Sequence, residues 1–266
     1  MAIVNVTPDS FADAGATFDP AAAVEHALRM VEQGADLLDI GGESTRPGAE
    51  PLDASEELRR IVPVVERLRR RVHVPLSIDT YKASVADRAI ALGADIVNDV
   101  SGLAADPELA AVVARRGVPI VLMHHRGRSA DMYQHAAYGD VVADVSRELE
   151  VAMARATSAG IPREQIVLDP GFGFAKRAPH TLALCARLNE LAALGRPLLV
   201  GVSRKSFLKA GLGDVPAEAR VWGTAAAVTA CILQGAHIIR VHDVAEMTQV
   251  AKVADVIRKA GLPGAI

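Results

Sequence analysis

Aromatic residues are scarce: Trp 1, Tyr 3 and Phe 5 are all the rings in 266 residues. The core must therefore be aliphatic, built from Val, Ile, Leu and Ala. Cysteine is nearly absent too. Cys185 and Cys231 stand alone inside apolar helical patterns, without metal-ligand spacing, which excludes a disulfide framework and reads as buried thiols in a reducing compartment. Neither sign of charge dominates, with 29 Lys+Arg against 32 Asp+Glu. No basic stripe offers a nucleic-acid footprint, and the dense run Arg67, Arg69, Arg70 and Arg71 ends a helical pattern, where cations suit the helix dipole. No apolar run approaches the roughly 18 residues of a membrane span. The first strand-like run starts at residue 2 with no basic region and signal-type core ahead of it, so the expected location is the cytoplasm, with nothing upstream to plug or cap that strand.

What is present is an alternation of short apolar runs and longer amphipathic stretches. Strands are expected at 3–6, 37–40, 76–78, 96–98, 120–123, 166–168, 198–202 and 238–241. Continuous apolar runs are what parallel strands buried on both faces require, and the unit length of about 33 residues is a βα period. Asp19-Pro20 and Asp106-Pro107 read as N-cap followed by Pro at the first helical position, and Asp53 with Glu56 resembles a capping box. Gly34, Gly93, Gly117, Gly160, Gly195 and Gly235 end helices, where a left-handed residue is needed. The longest irregular stretches, 7–17, 41–52, 124–139 and 170–177, each follow a strand and precede a helix. The expected fold is α/β: one domain over residues 1–266, a (β/α)8 TIM barrel with long βα loops 1, 2 and 5 and its site at the strands' C-terminal ends. A doubly wound open sheet is the alternative, weakened because no Gly-x-Gly-x-x-Gly turn follows the first strand.

Every strand ends in polar chemistry. Asn5 closes the first; Asp39 lies on the second, Asp79 ends the third and Asn98-Asp99 the fourth; His124-His125 follow the fifth and Asp169 ends the sixth. Ser203-Arg204-Lys205-Ser206 follow the seventh, and Arg240 and His242 flank Val241 on the eighth. One such residue is usually a cap, but eight consecutive strands ending so are hard to ascribe to chance. A barrel would point Asp79, Asn98, Asp169 and Lys205 into one pocket, a donor and acceptor set that suits a flat heterocycle with an amide or guanidine-like edge. Arg240, His242 and Asn5 lie near the last and first strands, where barrels commonly bind phosphate. Asn5 also has an oxygen to offer Mg²⁺ bridging a diphosphate.

The motifs that carry these residues resemble those of the dihydropteroate synthases, a family of the folate pathway. They are Asn5-Val6-Thr7-Pro8-Asp9-Ser10-Phe11, Asp39-Ile40-Gly41-Gly42-Glu43-Ser44-Thr45-Arg46-Pro47-Gly48, Ser77-Ile78-Asp79-Thr80, Asn98-Asp99, Leu168-Asp169-Pro170-Gly171-Phe172-Gly173-Phe174, Gly201-Val202-Ser203-Arg204-Lys205-Ser206 and Arg240-Val241-His242. The first two together are the most specific, and the likeness runs from residue 2 to the last helix. It departs at Met1-Ala2-Ile3-Val4-Asn5, where Met-Gly-Ile-Leu-Asn is common, and after Met123-His124.

The resemblance implies a homodimeric barrel that joins 6-hydroxymethyl-7,8-dihydropterin diphosphate to 4-aminobenzoate with the help of Mg²⁺. It implies a pterin pocket of Asp79, Asn98, Met123, Asp169, Gly201 and Lys205, and a diphosphate site of Asn5, Arg240 and His242 with Asn5 on the metal. It also implies an aminobenzoate site of Thr45, Arg46, Pro47, Phe174, Lys205 and Ser206. Asp79, Lys205 and Asp39 would be catalytic, Asp39 within the ordered-loop machinery. The implied chemistry is stabilised ionisation, with no Cys or Ser nucleophile. Two rivals share the pterin ring: a methyltetrahydrofolate-dependent methyltransferase serving a corrinoid protein, and an inactive pterin-binding paralogue. The first has no need of Ser44-Thr45-Arg46-Pro47, and the second would be expected to have lost loop residues that are present here. On this reading nearly all the rings (Phe11, Phe18, Tyr81, Tyr133, Tyr138, Phe172, Phe174 and Phe207) follow strands on the substrate face, with Phe174 the one to touch substrate, while Trp222 lies in the seventh connection near a helix start.

Overall fold

The computed structural model describes residues 1–7, 19–44, 48–127 and 131–261. The short aliphatic runs form eight parallel strands, each followed by a helix: β1 (Ala2–Asn5), α1 (Pro20–Glu32), β2 (Leu38–Gly41), α2 (Ala54–Arg69), β3 (Leu76–Asp79), α3 (Ala83–Ala91), β4 (Ile96–Asp99) and α4 (Leu109–Arg116). There follow β5 (Ile120–Met123), α5 (Val141–Ser158), β6 (Ile166–Asp169), α6 (Ala178–Ala186), β7 (Leu199–Val200), α7 (Val221–Leu233), β8 (Ile238–Ile239) and α8 (Val244–Ala260). β1 to β6 pair in sequence order and β7 pairs with β8. Two parallel bridges join these sheets, Leu168 with Leu198 and Ala2 with Val241, so the ring of strands closes into a barrel. The last two strands are shorter than their apolar runs predict, because the chain bends into loops at Gly201 and Arg240.

Parity along the strands decides what faces inward. Met1, Leu37, Val121 and Leu199 form a small cluster of their own, with Ile96, Val167 and Ile238 packed against it. Successive strand side chains alternate between faces. Asp39, Asn98, Met123, Asp169, Gly201 and Arg240 each come two residues after a member of that cluster, so they point into the barrel above an aliphatic floor. The much larger second cluster, including Leu38, Ile40, Leu76, Ile78, Leu122 and Leu168, lies between the strands and the helices.

Local chemistry sets the helix ends, with two departures from expectation. Asp19 and Asp53 cap α1 and α2, accepting from Ala21 N at 2.8 Å and Glu56 N at 2.9 Å. Glu56 does not complete a capping box; it pairs with Arg59 and Arg60 instead. Asp106 is not the cap of α4, which starts at Leu109. Its Oδ2 accepts from Ala83 N at 2.8 Å and so caps the neighbouring α3, since an acceptor serves whichever orphan donor lies closest. The helix-ending Gly117 and Gly195 adopt φ +67° and +64° as expected. Cys185 and Cys231 are buried and free, and contact between them raises Cys231 and lowers Cys185.

Candidate active site

At the C-terminal mouth of the barrel, Arg240 is the hub. Its Nε donates to Asp39 Oδ2 at 2.6 Å and its Nη2 to Asp79 Oδ2 at 2.7 Å. Asn98 Nδ2 donates to the same Asp39 oxygen at 3.0 Å. β2 and β3 are thus tied to the end of β8 through one guanidinium, whose planar fork suits two carboxylates at once, and β4 joins them through Asp39. Burial opposes its charge, but Asp39 and Asp79 more than restore it. This joins the two sets kept apart on sequence grounds, because Arg240 belongs to the Asp79 ring as well as to the last strand's cationic end. Asp39 lies on β2 with no exposed surface, so it orients Arg240 and Asn98 and lies outside the loop machinery expected of it. Its Oδ1 and the Oγ of Ser77, its neighbour in register, find no hydrogen-bond partner among the described residues.

Asp79 closes β3 with its carboxyl nearly covered. Burial pushes its pKa up to about 7, against the pull of Arg240 and with the help of the Asp39 charge. Gly41 stands beside it, and a Cβ there would come 3.3 Å from Asp79 Cβ. Asp169 ends β6, and its Oδ1 accepts from Gly171 N at 2.7 Å. Burial raises its pKa, partly offset by Lys205.

Lys205 comes from the turn after β7. Its Nζ donates to Phe172 O and lies 4.5 Å from the centre of the Phe174 ring. Burial lowers its pKa to about 8, with Asp169 opposing. Gly201 lies close by: a Cβ there would sit 4.0 Å from that Nζ, an ordinary contact distance. Phe174 also meets the His125 ring edge-on at 5.8 Å. Met123, buried at the end of β5, is paired in register with Asp169.

On the diphosphate side, Asn5 ends β1 opposite Gly41. His242 Nδ1 bonds to Ser203 Oγ at 3.0 Å, and the same hydroxyl accepts from His242 N at 3.2 Å. Ser206 is exposed at the start of a short helical turn. Thr45, Arg46 and Pro47, together with Phe11 and Phe18, lie outside the described residues.

Some residues in or near these motifs play a different part from the one expected. Arg204 adopts φ +58° and turns to Asp243, with contacts of 2.5 and 3.0 Å; it shapes the turn that presents Lys205. Asp99 accepts from Ser101 N and Leu103 N and caps its own loop. Trp222 is 74% exposed on α7 and is no part of the pocket. Sequence reasoning passed over Lys176, which is buried two residues beyond Phe174. The available signal was a lone lysine in a run of glycine, phenylalanine and alanine just past a strand end.

Among the described residues, no group of three or more His, Cys, Asp or Glu side chains could hold a metal ion. No described helix is long and apolar enough to cross a membrane.

The profile of the family described as pterin binding enzyme matches residues 1–242. The chain is 46% identical over 257 residues to the dihydropteroate synthase of Synechocystis sp., covering 97% of this chain and 89% of that protein. The solved structure of Xanthomonas albilineans dihydropteroate synthase with 4-aminobenzoic acid matches it with a TM-score of 0.91 at 45% identity, covering 98% of this chain and 93% of that one. The same enzyme in complex with 7,8-dihydropteroate matches with a TM-score of 0.88 at 42% identity, covering 98% and 93%. With a closed barrel, a polar ring at its mouth and relatives of this similarity over nearly its whole length, the chain belongs to the pterin-binding enzyme family, among the dihydropteroate synthases.

Proposed function

We infer that this pocket works by stabilised ionisation. The reaction is the condensation of 6-hydroxymethyl-7,8-dihydropterin diphosphate with 4-aminobenzoate to 7,8-dihydropteroate and diphosphate. The observation that carries the mechanism is the single mouth at which a cation–carboxylate ring, Arg240 with Asp79 and Asp39, faces Asp169 and Lys205 from the other side of the barrel.

In the proposed roles, Asn98, Asp169 and Lys205 read the polar edge of the pterin, Asp169 accepting from ring N–H groups and Lys205 donating to the carbonyl. Met123 and Gly201 line its faces. The bond from the pterin methylene carbon to the diphosphate oxygen breaks, and both electrons leave with diphosphate. Arg240 and His242 compensate the departing charge. The positive charge left on the methylene is delocalised into the ring and steadied by the Asp79 carboxylate. The arylamine nitrogen then bonds to that carbon and gives up a proton. Phe174, Lys205 and Ser206, with Thr45, Arg46 and Pro47, would hold the aminobenzoate.

Mg²⁺ is proposed as the cofactor. Asn5 would contribute one carboxamide oxygen, and no acidic cluster stands ready among the described residues, a donor set that fits a metal held chiefly by diphosphate oxygens and water. Bound there, Mg²⁺ would neutralise charge on the leaving group. Omitting it should therefore slow diphosphate release.

Incubation with the pterin diphosphate and 4-aminobenzoate should release diphosphate stoichiometrically with product; methyl transfer without such release would sink this reading. Neither rival is favoured, since the matched relatives are synthases. The pH dependence follows from the two shifted groups. Asp79 acts as carboxylate, so kcat/KM rises with pH through about 7, and Lys205 acts as ammonium, so it declines above about 8. A profile flat from pH 6 to 9 would contradict these roles.

A homodimer is proposed through the outer face of α7 and α8. Trp222 and Leu233 share a face of α7, and Val253, Val256 and Ile257 share one of α8; all five are exposed. The two helices pack together, and exposed apolar faces on neighbouring helices are of a kind that marks interfaces. Light scattering should give twice the chain mass, and Trp222→Glu should give the monomer. Free thiols and the absence of a spanning helix among the described residues support a cytoplasmic setting.

A further inference from the structure

The loop between β6 and α6 supplies Phe172 O and the Phe174 ring to Lys205, and it holds a lysine whose charge the reaction does not use. Lys176 is 2% exposed. Its three N–H donors meet three acceptors: His124 Nδ1 at 2.8 Å, Gly171 O at 3.1 Å and Phe174 O at 3.0 Å. Among the described residues no carboxylate forms an ion pair with it. Burial pushes the Lys176 pKa well below the usual lysine range, with Asp169 opposing, and the cost of burying the amine is offset by carbonyls of the site loop and by a ring on the neighbouring strand end.

The rest of the neighbourhood braces the same loop. His124 Nε2 bonds to Glu148 Oε2 at 3.0 Å, which leaves Nδ1 as the acceptor. Burial and the Lys176 charge push the His124 pKa down to about 4, so the ring stays neutral. Arg126 pairs with Glu148 and lies 4.0 Å over the Tyr138 ring, whose hydroxyl donates to Ala175 O at 3.1 Å. Ala175 adopts φ +49° and Gly171 φ +68°. The first is a conformation that L side chains rarely adopt, kept only where surroundings over-determine it. At Gly171 a Cβ would come 2.1 Å from His124 O, so the loop presses directly on the end of β5.

We propose that Lys176 is a positioning residue: its amino group clasps the two ends of the 171–174 turn to His124 and so fixes the Phe174 ring that faces the aminobenzoate. Asn98, Met123 and Asp169 are held by strand pairing that does not depend on the turn, so loss of the clasp falls mainly on the Phe174 ring and the aminobenzoate side. The proposal rests on the condensation described above.

Lys176→Met keeps an unbranched side chain, one atom shorter, and removes every donor. It is expected to raise KM for 4-aminobenzoate about tenfold, as a small misplacement of a binding group does, with KM for the pterin diphosphate within about twofold. Amide hydrogen exchange of residues 171–176 should quicken without a matching change at the other strand ends. His124→Leu should copy both effects, whereas His124→Asn, which retains an acceptor near the Nδ1 position, should restore values near the parent's. This second pair of variants stands in if Lys176→Met does not fold. Equal rises in both KM values, or no change in either KM or loop exchange in a folded variant, would overturn the proposal. Failure of the parent protein to release diphosphate would overturn the reaction instead, and loop exchange would still decide the clasp.

Discussion

Asp79→Ala is expected to lower kcat/KM by about a thousandfold, the order of loss seen when one preorganised electrostatic group is removed from an active site, while the barrel still folds. Asp79 stands at the mouth at the end of β3, and its carboxylate is the one in the ring that is both bonded to Arg240 and partly open to the pocket. Its partner Asp39 is closed off beneath. When the leaving group departs, the charge that steadies the methylene must already be in place, because reorienting water would cost what the enzyme saves. Folding should not suffer greatly, since burial disfavours this carboxylate and Arg240 keeps Asp39. Asp79→Asn separates the effects, because it retains an oxygen for Arg240 without the charge. Initial rates with both substrates and thermal melts check the expectation, and an Asn variant turning over near the parent rate would refute the electrostatic role.

Lys205→Met is expected to cost about a hundredfold to a thousandfold in kcat/KM, again with the fold retained. The ammonium lies over Phe174 and reaches Phe172 O, so it touches both halves of the proposed pocket. The stability sign is clear. A base whose folded pKa falls from the usual 10.5 to about 8 binds its proton less tightly folded than unfolded. Its charge therefore weakens the fold at neutral pH, and that penalty fades as pH rises from about 8 towards 10.5. The variant should melt at or above the parent's temperature at pH 7 and lose that advantage at high pH. A large drop in melting temperature at pH 7 would show that Lys205 supports the fold through its contacts with the 170–177 loop.

Much of this protein was legible in one dimension. Buried parallel strands read as aliphatic runs, and with a period of two the residue two beyond each interior apolar position must also face inward. That is why Asn98 and Asp169 could be placed at the strand mouths from their positions, whereas the joining of Arg240 to Asp39 and Asp79 was not legible there; the apolar run alone bounded β5 at Ile120 and Met123. The scarcity of rings was informative as well, since Phe174 does lie beside Lys205. Other features depended on contacts that spacing does not encode. Trp222, read only as lying near a helix start, sits exposed on an outer helix and meets none of the pocket. Arg204 stands in the same motif as Lys205, and only the left-handed turn at φ +58° sends it to Asp243.

The sequence by itself determined the architecture and the roster of polar groups, because hydrophobic periodicity and turn chemistry are local. Tertiary structure alone decided who pairs with whom. Arg240 and Asp39 are 201 residues apart along the chain and meet only because the barrel closes. Closure brings the last strand beside the first and makes one guanidinium answer to two carboxylates. The same holds for Lys176 and His124, 52 residues apart. A lysine can be stripped of water only where folding supplies an acceptor for every donor, and no local pattern states that such acceptors will be there.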